Sequence, residues 1–226
     1  MKADLHVHTS YSYDSISSPR QIVKTALEEG IDCIAICDHG EVKGAEETIM
    51  AALNKPILVI PGIEIKSSEG DILGLNIKNI IPNNLSARET ILEIKKQGGL
   101  AVIPHSFGFS CSFRDDLEKL IDVIDAIEVL NANIFKKDNQ KALEFSKKHN
   151  LPFTAGSDAH APELIGRAYL EIPGKNLSVE QVLSAIKNKQ ARVVGRETNI
   201  FEKGIAFLKR SLAKIKHHFK LKTYAS

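Results

Sequence analysis

Three cysteines, Cys33, Cys37 and Cys111, are too few for a disulfide framework; an odd number cannot pair completely, and they follow no zinc-finger spacing. The expectation is a reducing, cytoplasmic protein in which Cys33 and Cys37, inside the apolar run from Ile31 to Cys37, are buried structural thiols. Long hydrophobic runs are missing too. The longest apolar stretch, Pro56 to Ile65, is broken by Pro61, Gly62 and Glu64 and is too short to cross a bilayer. The start lacks the basic and apolar regions of a secretory leader, because a strand pattern begins almost at Met1. The body is not rich in arginine, so a fixed cation for an anionic ligand has few candidates.

What is present is ordinary in bulk and uneven in detail. At 226 residues, 43% hydrophobic and 26% charged, the chain can bury one substantial core. The net charge of +2 hides an asymmetry: from residue 198 onward seven Lys or Arg face one Glu, a net of +6, which leaves the first 197 residues at −4. The expected division is a body over 1–197 and a basic extension over 198–226.

The body's chemistry begins at Asp4-Leu5-His6-Val7-His8. Side chains alternate along a strand, so His6 and His8 share one face and Leu5 and Val7 the other. Two such imidazoles can hold one metal ion, although His-x-His alone fits a solvated strand face equally well. Four later segments favour the metal: Cys37-Asp38-His39, Gly62-Ile63-Glu64, Pro104-His105-Ser106 and Ser157-Asp158-Ala159-His160. Each puts a His or a carboxylate at the end of a short apolar run, which suggests one shared site.

Strands and helices alternate. Pro19 opens a helix to Leu27 that ends at Gly30, and Glu41–Leu53, Ser86–Gln97, Arg114–Ile121, Phe135–His149 and Val179–Lys189 also read as helical. Ser86 with Glu89 forms a capping box, and Gly98-Gly99 stops that helix. Between them lie apolar runs of strand length at Ile31–Cys37, Ile57–Ile65, Ile72–Asn76, Leu100–Ile103, Ala126–Leu130, Pro152–Ala155, Arg167–Ile172 and Ala191–Val194. Repeated β-then-α order predicts a parallel α/β barrel or an open sheet. The barrel is preferred, because it gathers the strand C-termini, and with them His8, His39, Glu64, His105 and Asp158, at one face.

These segments resemble the PHP (polymerase and histidinol phosphatase) family, over roughly His6 to Gly195. The resemblance implies a distorted (β/α)7 barrel, two or three divalent ions (manganese, iron(II) or zinc, with magnesium as a further choice) and hydrolysis of phosphoesters. It implies that His6, His8, Glu64 and Asp158 hold a first ion, that Glu64 bridges to a second held by His105 and Asp71, and that Asp14, His39 and His160 hold a third. Many relatives carry a His where this chain has Asp71; a carboxylate hardens the site toward manganese, iron(II) or magnesium, and the alternative is that Asp71 only caps a turn. Asp14, in a Ser-rich loop, could likewise make only local turn bonds. Asp38, of opposite parity to His39, is read as a supporting partner. Two ions sharing Glu64 would activate a bridging water to attack phosphorus, and His39 or a metal-bound water would protonate the leaving group. Arg114 is the first choice for a phosphate-binding cation and Arg167 the second, each against an ordinary surface ion pair.

From Asn199 onward Phe201, Ile205, Leu208, Leu212, Ile215 and Phe219 recur at spacings of four and three, the apolar stripe of a basic amphipathic C-terminal helix. Packing of that stripe on the barrel or on a second copy, giving a homodimer, is preferred to capture of RNA or DNA or of an anionic membrane by the basic face. The leading function is a metal-dependent phosphoesterase acting on a phosphorylated metabolite, a nucleotide or an oligonucleotide end. The alternative is a non-catalytic, metal-stabilised binding module of a nucleic-acid-processing assembly.

Overall fold

The computed structural model describes residues 1–108, 113, 116–199, 201–205, 207, 208 and 211. Among them, nine strands form one sheet: β1 (Lys2–Val7), β2 (Cys33–Ile36), β3 (Leu58–Lys66), β4 (Asp71–Leu75), β5 (Leu100–Ile103), β6 (Ala126–Asn131), β7 (Phe153–Gly156), β8 (Ala168–Glu171) and β9 (Arg192–Gly195). Five helices surround it: α1 (Pro19–Glu28), α2 (Lys43–Ala52), α3 (Ala87–Lys96), α4 (Lys136–Lys148) and α5 (Val179–Lys187). Helices α1, α3 and α5 start at Ser18, Ser86 and Ser178, whose hydroxyls accept the third-residue N–H while Gln21, Glu89 and Gln181 reach back to the cap N–H.

The spatial order is β7-β6-β5-β4-β3-β2-β1-β8-β9. Pairs β1–β2, β2–β3, β5–β6 and β6–β7 are parallel. The purely parallel expectation needs correction: β4 runs antiparallel to both β3 and β5, and β8 and β9 are antiparallel as well. The cause is local. Ser67 to Gly70 makes a tight turn, with the Ser67 N–H donating to Gly70 O at 3.0 Å, so β3 returns directly as β4 with no crossover helix.

The sheet nearly closes on itself. The chain just past β7 pairs with the end of β1: the Asp158 N–H donates to His6 O at 2.8 Å and the His8 N–H to Ala159 O at 3.0 Å. Gly156 permits this approach, since a Cβ there would lie 2.3 Å from His6 Cβ. Inside sits an apolar layer including Leu5, Cys33, Ala35, Ile60, Leu73, Leu100, Val102 and Ala126. Separate clusters fill the space under the helices, one with Ile63, Ile65, Ile91 and Ile94, the other with Val7, Ile22, Val23 and Ile34. Leu5 and Val7 therefore do not share a face, as simple alternation predicts; the register of β1 against β2 shifts between Asp4 and Val7 and turns them to different clusters.

Two further expectations change. Of the helix expected over Arg114–Ile121, the described residues hold a 3-10 turn at Leu117–Leu120. Residues 201–205, 207, 208 and 211 are helical, but Phe201, Ile205 and Leu208 are exposed, so this part of the stripe does not pack on the barrel; Leu212, Ile215 and Phe219 lie outside the described residues.

Candidate metal centre

Strand alternation carries the apolar interior into a polar layer. On β3 the inward positions run Ile60, Gly62, Glu64, and on β6 they run Ala126, Glu128. Both carboxylates are buried, and the ends of β1, β5 and β7 deliver His6, His8, His105 and Asp158 to the same place. His105 and Asp158 hold positive φ of 31° and 51°, a conformation that costs a non-glycine residue about 1–3 kcal/mol and is found disproportionately at functional sites.

The distances make one cluster. Glu64 Oε1 lies 3.0 Å from His105 Nε2, while its Oε2 faces His39 Nδ1 at 3.1 Å, His8 Nε2 at 3.4 Å and His6 Nε2 at 3.5 Å. Asp158 Oδ1 lies 3.4 Å from His8 Nε2, 3.4 Å from His160 Nδ1 and 3.7 Å from His6 Nε2. Asp14 spans His160 Nε2 at 3.3 Å and His39 Nε2 at 3.6 Å. Three donor groups, His6/His8/Asp158, His6/Glu64/His105 and His8/His39/His160, each have their donor atoms within 4.8 Å of one another.

Hydrogen bonds outside the cluster fix the imidazole tautomers. His6 Nδ1 lies 3.2 Å from Glu128 Oε1, and His160 Nδ1 lies 2.9 Å from the Asp158 carbonyl; both acceptors require a proton on Nδ1. Ser12 Oγ donates to Asp38 Oδ1 at 2.9 Å, so it must accept from His8 Nδ1, 3.1 Å away. Asp38 in turn takes the Thr9 N–H and hydroxyl at 2.6 Å each, which pins the loop that carries Ser12. The three Nε2 atoms that result, on His6, His8 and His160, are buried with no hydrogen-bond partner. Buried orphaned lone pairs are costly unless a ligand takes them, and imidazole nitrogens beside carboxylates are a divalent-metal donor set.

The electrostatics agree. Burial pushes His8 down to about 3, with the neighbouring His160 adding to the shift, so it is a neutral donor. Burial alone would lower His6, yet Asp158 and Glu128 hold it well above the ordinary histidine range. The acids thus demand a positive charge at that ring, either a proton or an ion. Burial would raise Glu64 and Asp158, but the surrounding imidazoles hold both well below the usual carboxylate range. His39 rises to about 9: burial opposes the shift, and Glu64 and Asp14 outweigh it.

A cavity of about 560 Å³ opens over this cluster, and Tyr13, Lys66, Asn83, Asn133 and Ile134 complete its wall. Tyr13 stacks on His39 with ring centroids 5.1 Å apart. The structure brings together His6, His8, Asp14, His39, Glu64, His105, Asp158 and His160. Asp71 lines the cavity, its carboxyl pushed up by burial and by Glu64, but belongs to none of the three donor groups. Arg167 does not line it: its Nη2 pairs with Glu202 Oε1 at 3.2 Å. Arg114 lies outside the described residues. The sequence reading missed Glu128, whose Oε2 also accepts the His105 N–H at 3.1 Å and Asn131 Nδ2 at 2.8 Å. Its signal was there, a lone acid at an inward position of the apolar run Ala126–Leu130. Lys66, Asn133 and Tyr13 carried no pattern of their own.

Known proteins share this architecture. A family model described as PHP-associated matches residues 136–191. An uncharacterized protein of Methanocaldococcus jannaschii is 41% identical over 143 residues, which is 58% of this chain and 82% of that protein. A 5'-3' exoribonuclease of Haemophilus influenzae is 38% identical over 85 residues, 36% of this chain and 31% of that enzyme. Among solved structures, a two-domain protein from Bacteroides vulgatus, described as containing a predicted PHP-like metal-dependent phosphoesterase, superposes with a TM-score of 0.75 at 20% identity, covering 93% of this chain and 69% of its own. Residues 136–191 thus match the PHP-associated family, and the fold as a whole is that of a PHP-like protein. No helix among the described residues is long and apolar enough to cross a membrane.

Proposed function

We propose that this chain hydrolyses a phosphate ester, using divalent ions held by the strand-end cluster. The observation that carries the reading is the set of buried, unpartnered Nε2 atoms on His6, His8 and His160, all facing carboxylates. His6, His8, Glu64 and Asp158 form the first ligand set. Glu64 is shared with a second completed by His105 and Asp71, and Asp14, His39 and His160 form a third. The two oxygens of Glu64 face different imidazoles, as a bridging carboxylate requires. Bound divalent ions supply an activated water and neutralise phosphate charge; manganese, iron(II) and zinc suit this mixed imidazole–carboxylate set.

The chain's own side chains do the rest. Glu128, Ser12 and the Asp158 carbonyl hold the imidazoles with their Nε2 lone pairs aimed inward. Lys66, at the end of β3 on the cavity wall, supplies the fixed cation for a phosphate oxygen, in place of Arg167, which is engaged with Glu202. His39, one-quarter exposed at the cavity wall, either completes the third set or, with that set empty, hands a proton to the leaving oxygen.

The test is phosphate release from small esters with added manganese. The expected result is activity that chelation abolishes and that His6→Ala or Asp158→Ala lowers at least about 100-fold. Equal rates in parent and variants would instead support the alternative, a metal-stabilised binding module.

A further inference from the structure

A second concave surface, of about 540 Å³, adjoins the metal centre and has no part in the reading above. It shares Ile134 with the metal-site cavity, and its wall includes Phe135, Lys136, Glu197, Phe201 and Lys203. The wall is joined to the site by short covalent steps. Asn133 Nδ2 donates to the candidate ligand Asp158 at 3.3 Å, and two residues later Phe135 can stand no more than about 8 Å away from it along the chain, Cα to Cα.

The C-terminal extension supplies the opposite wall. The Thr198 N–H donates to Ala132 O at 2.7 Å, and Asn199 caps the following helical turn by accepting the Glu202 N–H at 2.8 Å. Lys203 is thereby set with its ammonium 4.4 Å from the centre of the Phe135 ring and donating to Ile134 O at 3.2 Å. The Phe135 ring remains 53% exposed and Phe201 78% exposed. The nearby acids are engaged: Glu197 accepts from Asn139 Nδ2 at 3.2 Å, and Glu202 pairs with Arg196 and Arg167. The surface therefore presents aromatic faces beside ammonium groups, next to a centre built for phosphate esters. Flat π-systems stack on such rings, while flanking lysines attract phosphates.

We propose that this surface is a subsite for the base of a nucleotide or of a single-stranded oligonucleotide whose phosphate occupies the metal centre, with Phe135 as the stacking platform. The proposal rests on the phosphoesterase reading and names its substrate class. It makes the C-terminal extension part of the site, because Phe201 and Lys203 come from it.

The test compares two esters that differ by the base alone, adenosine 5'-monophosphate and ribose 5-phosphate, using the full chain with manganese. The ratio of their kcat/KM values is measured in the parent and in Phe135→Ala, Phe135→Leu and Phe135→Trp. Loss of the platform is expected to lower the ratio about fivefold or more in the Ala and Leu variants, chiefly through KM for the base-bearing ester, and Trp is expected to keep or raise it. An unchanged ratio in Ala and Leu overturns the proposal. A parent that hydrolyses neither ester counts against the phosphoesterase reading, and the platform is then read from anisotropy of a labelled oligothymidylate. Weaker binding in Ala and Leu with retention in Trp supports it, and equal binding in all four proteins overturns it. A change of sedimentation mass in Phe135→Ala without a change in ratio or binding assigns the surface to a second copy of the chain, and also overturns it.

Discussion

At the scale of single residues, the centre depends on groups that touch no ion. A neutral imidazole can offer either nitrogen, and the partner at Nδ1 decides which. Here a carboxylate, a hydroxyl already committed to Asp38, and a main-chain carbonyl each claim Nδ1, for His6, His8 and His160 respectively. Glu128 has the widest reach, since it also holds the His105 main chain. Glu128→Ala is therefore expected to weaken manganese affinity about 10- to 100-fold while the chain stays folded, read by calorimetric titration alongside circular dichroism. Unchanged affinity would reduce Glu128 to a packing residue. The sequence showed the donors and hid their supports for a physical reason. His and Asp at strand ends are conspicuous by type, whereas Ser12 and Asn133 become informative only once the chain brings them beside a partner from another strand.

At the scale of elements, local signals were complete where the element is local. Helix α3 begins at the serine expected of it because a capping box is written within four residues. Ser86→Ala removes the acceptor for the Glu89 N–H, at a residue that does not line the cavity, and is expected to cost about 1 kcal/mol, a fall in Tm of roughly 2–4 °C, with kcat/KM unchanged. A loss of activity would mean that α3 is coupled to the site. The direction of β4 was not legible in the same way: its apolar pattern is that of any buried strand, and only the short Ser67–Gly70 turn distinguishes a return from a crossover. Closure between β7 and β1 rests on one small residue. In Gly156→Ala the added carbon would meet His6 Cβ at 2.3 Å and His6 N at 2.8 Å, backbone and near-backbone atoms that cannot swing aside. The expected outcome is a destabilisation of about 1–3 kcal/mol in chemical denaturation together with weaker metal binding, because relief of the clash moves a ligand strand. Wild-type stability would show that the β1–β7 approach is looser than this geometry.

At the scale of the whole molecule, gathering the buried imidazoles of His6, His8, His105 and His160, the partly exposed His39 and the buried carboxylates of Asp14, Glu64, Glu128 and Asp158 carries a standing electrostatic cost, which burial raises and mutual pairing only partly offsets. That convergence was legible as a pattern, since the donors other than Asp14 lie at or just past the ends of apolar runs, but its ring needed strands of both directions, which no single run announces. The same crowding makes the folded state a far better ion binder than the unfolded chain, where the donors are scattered. Binding must then stabilise the fold: at free manganese 100-fold above Kd the gain is about 2.7 kcal/mol per independent site. For a chain of this length, 1 kcal/mol moves Tm by roughly 2–4 °C, so one filled site should raise it by about 5–11 °C over the chelated protein. Differential scanning fluorimetry across a manganese series reads this directly, and the rise should grow with the logarithm of concentration once the site is filled. His6→Ala should flatten the series, since it removes a donor shared by two of the three groups. If chelated and manganese-loaded protein melt together, the buried cluster holds its charges by internal pairing alone, and the metal-dependent reading of the site fails with it.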